Sequence, residues 1–317
     1  MGRIPLTLNN LISVIIPAYN EEGNIPELCR LFDELVRSSK YNFELVLVDD
    51  GSTDGTFSKI EEQAAKYGFI KYKRHPFNYG LTEGLQTGFS IASGDIYVFY
   101  PADLQYLPAD IPALVEPLFR GADLVAGWKQ GKYRKRFVSS IYNYLSRRIF
   151  NLKVHDLNSV KAFKADLVRQ IFLRRDWHRY LVVLAADKGY HIDEVKIPLY
   201  ERKWGKSKFS IWRIPVGLLD MLAVKAQISL LKKPLLFFGI MGLGSFALGI
   251  LIGLVALYLR FVVGEGFRPL LYLVLLLVVL GMGFFILGFL AESMAGMREE
   301  LGSIRKKLDE MDKGKNG

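Results

Sequence analysis

Apolar positions fall into three regimes along this chain. From residue 11 to about 128, short unbroken apolar runs alternate with stretches whose apolar residues recur every three or four positions. LISVIIP (11–17), FELVLVDD (43–50), FIKYKR (69–74), DIYVFY (95–100) and ADLVAGW (122–128) read as strands. Such continuous runs, rich in β-branched and aromatic residues, suit strands covered on both faces. Between them the spacing predicts helices. One runs to about Ser38 from a capping-box spacing at Asn24–Glu27, with Pro26 in its first turn; another runs from Thr53 or Asp54 to about Tyr67. Two more lie over 80–92 and near 109–119. Strands alternating with helices predict an α/β domain on an open, mainly parallel sheet, covered on both sides.

The second regime is basic and amphipathic. KQGKYRKRFVSSIYNYLSRRIFN (129–151) crowds Lys129, Lys132, Arg134, Lys135, Arg136, Arg147 and Arg148 ahead of and along a helical repeat of apolar residues. ERKWGKSKFSIWR (201–213) is the other basic stretch. It leads into residues 211–231, where Ile211, Ile214, Leu218, Leu222 and Ile228 recur at helical spacing. That pattern predicts a helix lying in a membrane interface, with Trp212 at headgroup depth.

The third regime is continuously apolar. Residues 234–263 carry a single charge, Arg260, and residues 269–291 carry none. At about 1.5 Å per residue each is long enough for a hydrocarbon core of roughly 30 Å. Only GEGFR separates them, so they form an antiparallel membrane hairpin. Lys225, Lys232 and Lys233 precede the hairpin; Arg298, Arg305, Lys306 and Lys307 follow it, which predicts that both termini are cytoplasmic. NNLISVIIPAYNEE has too short an apolar core for a signal peptide. The expected division is a cytoplasmic domain over 1–210, an interfacial helix over 211–232, two transmembrane helices within 233–292, and a cytoplasmic helix and tail over 293–317. In that tail Met294, Met297, Leu301, Ile304, Leu308 and Met311 repeat at three and four, a short a/d seam that could join protomers or lie on the soluble domain.

Charge narrows the partners. The balance is +10, 42 basic against 32 acidic side chains. No zinc-finger or recognition-helix pattern points to nucleic acid, which leaves anionic lipid or a phosphorylated substrate. The single cysteine, Cys29, excludes an internal disulfide, and the four histidines show no metal-ligand spacing.

Ligands of open parallel sheets sit beyond the carboxyl ends of the strands. Three loops emerge there: PAYNEE (17–22), DDGSTDGT (49–56) and PADLQY (101–106). Glu21, Asp49 and Asp103 come from three separate strand ends, so an anionic ligand at that rim requires a divalent cation. Asp103 and Gln105 offer hard oxygen donors. Asp54 reads as a helix cap, and Asp50 before Gly51 reads equally as turn chemistry. Asp156, ahead of Asn158–Ser159, either orients a ligand or caps a turn.

SVIIPAYNEE, LVLVDDGSTDGT, NYGLTEGLQTGFSIASGD, PADLQ and ERKWGKSKF, in this order and ahead of a membrane hairpin, resemble the polyprenyl-phosphate glycosyltransferases. That group, with a GT-A (Rossmann-like) fold, includes dolichol-phosphate mannose synthase and undecaprenyl-phosphate glucosyltransferases. The resemblance covers roughly 11–215 plus the anchor. It implies an inverting enzyme that moves one sugar from a UDP- or GDP-sugar to a polyprenyl phosphate, with Mg²⁺ or Mn²⁺ as cofactor. It further implies that Pro17, Tyr19, Glu21, Asp49 and Asp50 contact the nucleotide. Asp103 and Gln105 match the family's metal turn, D-A-D-x-Q, whose first Asp is here Pro101. Arg134, Arg136, Ser139 and Asn143 belong with the acceptor phosphate, as do Arg202, Ser207 and Lys208. The resemblance also implies that Asp103, which further contacts the nucleotide, acts with Arg136 and Arg202 in catalysis. His178 and Arg179 lie in another segment that the family shares.

The chemistry agrees with such a reaction. No Ser-His-Asp arrangement or general base is visible, and a phosphate acceptor, already an anion at neutral pH, requires none. A processive polysaccharide synthase is disfavoured, because LRRDWHRYL is not its Q-x-x-R-W motif and two helices build no polymer channel. Pro101 supports the remaining alternative, a relative that binds lipid phosphate or scaffolds a partner without catalysis.

Overall fold

A computed structural model describes residues 6–131, 136–171, 173–174, 176–201 and 213–315. The chain divides into two compact units, Met1–Arg213 and Ile214–Gly317.

The first unit is a seven-stranded sheet between helices, in the strand order β3-β2-β1-β4-β6-β5-β7. Its strands are β1 (Leu11–Ala18), β2 (Asn42–Asp49), β3 (Ile70–Arg74), β4 (Ile96–Phe99), β5 (Leu124–Gln130), β6 (Lys161–Lys164) and β7 (Ile192–Pro198). All run parallel except β6, which is antiparallel to both of its neighbours, β4 and β5. The helices are α1 (Ile25–Ser38), α2 (Thr56–Lys66), α3 (Leu81–Ile91), α4 (Ile111–Phe119), α5 (Arg136–Phe150), α6 (Ala165–Gln170) and α7 (Leu181–Asp187). A 3₁₀ turn, Pro108–Asp110, leads into α4.

β1 and β2 bury nearly every side chain on both faces, as their uninterrupted apolar runs require. Ile12, Val14 and Ile16 pack with Leu45 and Leu47 of β2 and with Leu28, Cys29 and Phe32 of α1 in the main core. Burial pushes the Cys29 thiol up to about 12, so it acts as a small apolar side chain.

Two expectations need correction. The capping box at Asn24 does not form: Asn24 has helical dihedrals and no side-chain capping bond. Instead its Nδ2 donates to Glu21 Oε2 at 2.6 Å, which ties the helix start to the preceding loop. In addition, β6 and β7 extend the sheet beyond the five strands read from the apolar runs. β6 is only four residues, KAFK, and β7 shows a polar-rich edge pattern.

The second unit holds α8 (Arg213–Lys232), α9 (Pro234–Tyr258), a π-helical turn over Leu259–Val263, and α10 (Arg268–Lys315). Gly217, Met221 and Val224 are the buried positions of α8, whereas Leu222 of the expected stripe is 56% exposed. Residues 234–263 and 268–302 form two helices long and apolar enough to cross a membrane, and few of their residues are fully buried. They pack through small residues: a methyl on Gly242 would stand 3.0 Å from the Gly281 carbonyl oxygen. α10 does not end at residue 291; it continues as one helix to Lys315.

Candidate active site

β1, β2 and β4 end on one edge of the sheet, where Ala18 is in register with Asp49, and Asp49 with Arg74. The loops that leave these strands are bonded into one body. Asn20, held at φ +56, donates its amide to Ser52 Oγ (3.0 Å) and accepts from the Thr53 amide (2.9 Å). The Glu21 amide donates to Thr56 Oγ1 at 2.8 Å, and Glu22 Oε2 accepts from the Gly55 amide at 3.1 Å. Asp54 accepts from the Thr56 amide at 3.0 Å in a local turn, but the N-cap of α2 is Gly55, without a side-chain capping bond, and not Thr53 or Asp54 as expected.

Asp50 anchors a further loop. Its carboxylate meets His75 Nδ1 at 2.8 Å and accepts from the amides of Tyr79 and Gly80, each at 2.9 Å. His75 Nε2 in turn meets Thr87 Oγ1 of α3 at 2.8 Å. The loop passes so close that a methyl on Gly51, at φ +69, would overlap the Phe77 backbone. Asp50 is thus engaged in holding this rim together. Asp49 is wholly buried at the end of β2. Its Oδ1 accepts from the Ser52 amide at 3.1 Å. Its Oδ2 lies 3.2 Å from Arg74 Nε in an ion pair, but no donor meets it with hydrogen-bond geometry.

The turn after β4 carries Asp103, 8% exposed, whose Oδ1 accepts from the Gln105 amide at 3.2 Å. Leu104 between them sits at φ +55, a left-handed conformation that costs a leucine about 1 kcal/mol. The turn is pinned from several sides. Tyr100 OH donates to the Leu107 carbonyl, the Tyr200 amide donates to the Gln105 carbonyl, and Tyr106 OH meets Ser159 Oγ at 3.0 Å. Among the described residues no group of three His, Cys, Asp or Glu side chains is close enough to hold a metal.

Because β6 runs against its neighbours, it enters the sheet where β4 and β5 leave it. Lys161, its first residue, is in register with Phe99 and Ala126 and is 1% exposed. Its ammonium donates to the Ser159 carbonyl at 2.8 Å and lies 5.7 Å from the centre of the Phe99 ring. Burial pushes it down to about 8, with Lys129 adding to the shift and Asp156 opposing it. Asp156, 1% exposed, accepts from the Asn158 amide at 3.0 Å and pairs with Lys129 Nζ at 3.1 Å. His178 Nδ1 meets Thr82 Oγ1 at 2.9 Å. Burial, then the positive charges of Arg179 and Lys161, push this imidazole down to about 3, so it is neutral at pH 7.

Lys161 and the Thr82–His178 contact were not singled out from sequence. A lysine opening a four-residue strand carries no periodic signal that separates burial from exposure. On the acceptor side, Asn143 of α5 is buried, with no hydrogen bond to its Oδ1. Arg136 and Ser139 stand at the start of α5 on described backbone, but their side chains lie outside the described residues, as do Arg134, Arg202, Ser207 and Lys208 entirely.

Comparison with known proteins places this geometry. Residues 13–170 match the family described as glycosyl transferase family 2. A dodecaprenyl-phosphate galacturonate synthase of Rhizobium johnstonii is 32% identical over 295 residues, 90% of this chain and 87% of that protein. An undecaprenyl-phosphate 4-deoxy-4-formamido-L-arabinose transferase of Shewanella sediminis is 30% identical, covering 89% of this chain and 86% of its own. Among solved structures, glucosyl-3-phosphoglycerate synthase of Mycobacterium tuberculosis, in complex with Mn²⁺, UDP and glucosyl-3-phosphoglycerate, superposes with a TM-score of 0.56. It does so at 23% identity over 71% of this chain and 86% of that one, which shows a shared GT-A fold. From its sequence match and the extent of its relatives, this chain belongs to glycosyl transferase family 2.

Proposed function

We propose that this glycosyltransferase moves a single sugar from a UDP- or GDP-sugar to a polyprenyl phosphate at the cytoplasmic face of a membrane, with inversion at the anomeric carbon. Relatives named for dodecaprenyl and undecaprenyl phosphate support the acceptor. Two helices long and apolar enough to cross a membrane support its delivery from lipid. The observation that carries the donor half is Asp49. Its buried Oδ2 is charge-paired with Arg74 but takes no hydrogen bond, so it can accept one from a donor on a ligand. A nucleobase N–H or ribose hydroxyl is such a donor, and Pro17, Tyr19 and Glu21 belong to the loop bonded beside it. Asp50 serves the same ligand by holding the adjoining loop.

The donor set fits a hard divalent cation. Asp103 supplies a carboxylate and Gln105 an amide oxygen from a turn whose strained Leu104 sets their relation. Diphosphate oxygens and water would complete the shell that Pro101 leaves one ligand short. Bound there, Mg²⁺ or Mn²⁺ supplies neutralisation of the charge that grows on the departing diphosphate. In the transfer itself a phosphate oxygen of the acceptor attacks the anomeric carbon, the C–O bond to the diphosphate breaks, and nucleoside diphosphate leaves with the bonding pair. No proton has to move. His178, neutral and bonded to Thr82, and the buried Lys129–Asp156 pair are held in place by their own partners and need not move a proton. Arg134, Arg136, Ser139, Asn143, Arg202, Ser207 and Lys208 gather the two anions, a positioning effect worth several kcal/mol.

The test is transfer by the purified full chain from a panel of UDP- and GDP-sugars to a polyprenyl phosphate, with Mn²⁺, Mg²⁺ or EDTA. Lipid-linked monosaccharide that disappears in EDTA supports the reading and names the donor. Absence of both product and nucleotide binding would overturn it in favour of a lipid-phosphate-binding scaffold.

A further inference from the structure

Beyond residue 291, α10 continues through 24 more residues to Lys315. At about 1.5 Å per residue that is roughly 35 Å of helix past the apolar span. Glu292, whose Oε2 accepts from the Leu235 amide at 3.1 Å, marks the end of the hairpin opposite the start of α9. Past this point Met294, Met297, Leu301 and Ile304 are 52–65% exposed. They lie on one face, and the repeat continues in sequence through Leu308 and Met311. With Arg298, Glu299, Glu300, Arg305, Lys306 and Lys307 along it, this stretch is too charged for a hydrocarbon core, and its exposed apolar stripe needs a cover other than lipid.

We propose that residues 294–311 pair with the same segment of a second copy of this chain as a parallel, in-register two-stranded coiled coil. The argument is charge complementarity. With Met294, Leu301 and Leu308 at position a, and Met297, Ile304 and Met311 at d, position g falls on Glu300 and Lys307. Position e falls on Arg298, Arg305 and Asp312. In a parallel pair each g residue faces the e residue five positions on in its partner. Glu300 then faces the partner's Arg305, and Lys307 faces the partner's Asp312. Both contacts are attractive, and each occurs twice by symmetry. A parallel arrangement is also what two hairpins inserted the same way round must adopt, since their twofold axis lies along the membrane normal. The seam spans under three heptads, and its methionines pack loosely, so it is marginal as a free peptide. Anchoring both strands in one bilayer raises their effective concentration and removes most of the association cost.

The test uses the full chain in liposomes, with Cys29→Ser as background and one new cysteine per variant. Under mild oxidation Leu301→Cys, Ile304→Cys and Leu308→Cys are expected to give disulfide-linked dimers. Glu299→Cys and Lys306→Cys, placed on the opposite face, are expected to give at least fivefold less. Adding Glu300→Arg and Lys307→Glu to the Ile304→Cys variant should suppress its cross-link, and further adding Arg305→Glu and Asp312→Lys should restore it. Cross-linking without this face dependence, or indifferent to the charge reversal, overturns the proposal. So does absence of dimer at all three seam positions, which would place the stripe against another partner.

Discussion

The Lys129 ammonium lies 3.1 Å from the Asp156 carboxylate, and the pair is nearly cut off from water, with side chains 14% and 2% exposed. Such a pair is a weak source of net stability, but removing one partner strands the other as a buried charge. Lys129→Met is therefore expected to destabilise the first unit by about 3 kcal/mol, measured by denaturant unfolding in detergent. Lys129→Met combined with Asp156→Asn should recover most of that loss. A double variant no better than the single one would show that the two side chains are not energetically coupled.

Adjacent carboxylates at the end of β2 should respond differently. Asp49→Asn keeps the volume and is expected to leave the unfolding midpoint within a few degrees while weakening UDP or GDP binding at least tenfold by calorimetry. Asp50→Ala abandons two backbone amides and His75, and is expected to cost roughly 2–3 kcal/mol of stability. Equal effects of both changes on stability and binding would contradict this division.

Asp103→Ala should lower the turnover of lipid-linked sugar by about 10²–10³-fold with the protein still folded, in the range of a lost electrostatic stabiliser. Pro101→Asp restores the carboxylate of the related metal turn and is expected to lower the Mn²⁺ concentration needed for half-maximal transfer. Transfer by Asp103→Ala at the original rate would remove this turn from the mechanism.

Lys161 gives the fold a pH signature. Its ammonium is held down at about 8, against an ordinary value of 10.5. Between those values the unfolded chain binds a proton at this site that the folded chain has released. Stability from this group therefore rises with pH across that window and is lowest below it. The shift corresponds to about 3 kcal/mol. Lys161→Met, uncharged at every pH, should look most favourable relative to the parent near pH 7.5 and lose ground steadily toward pH 10. Melting midpoints of both proteins over that range would show it, and a constant difference would contradict the burial of the charge.

How far the residues announced this arrangement depends on how local the signal is. β1 and β2 are legible because a strand buried on both faces must be apolar throughout, and the two long apolar helices because their runs carry almost no charge. The carboxylate-bearing loops follow from where such strands end. β6 was not legible: KAFK carries lysines at both ends, and only pairing with β4 and β5 makes it a strand. The burial of Lys161 and the shared network of Asp50, His75 and Thr87 depend on contacts between residues 12 to 60 or more positions apart, which no window along the chain can report. The Asn24 spacing was a true local signal that lost to another local partner, the Glu21 carboxylate three residues earlier.

The reversed direction of β6 has a consequence for how this enzyme can diversify. A parallel strand brings its leading loop to the far edge of the sheet, so reshaping a site through it requires moving a whole crossover. Here the segment Val154–Val160 reaches the reacting edge directly, ahead of a strand that is clamped on both sides. Within the segment Asp156 pairs with Lys129, and Ser159 meets Tyr106 of the turn that carries Asp103, so the segment is coupled to that turn. The loops after β1 and β2 are bonded to one another instead, so a change within Val154–Val160 is felt first at the turn after β4.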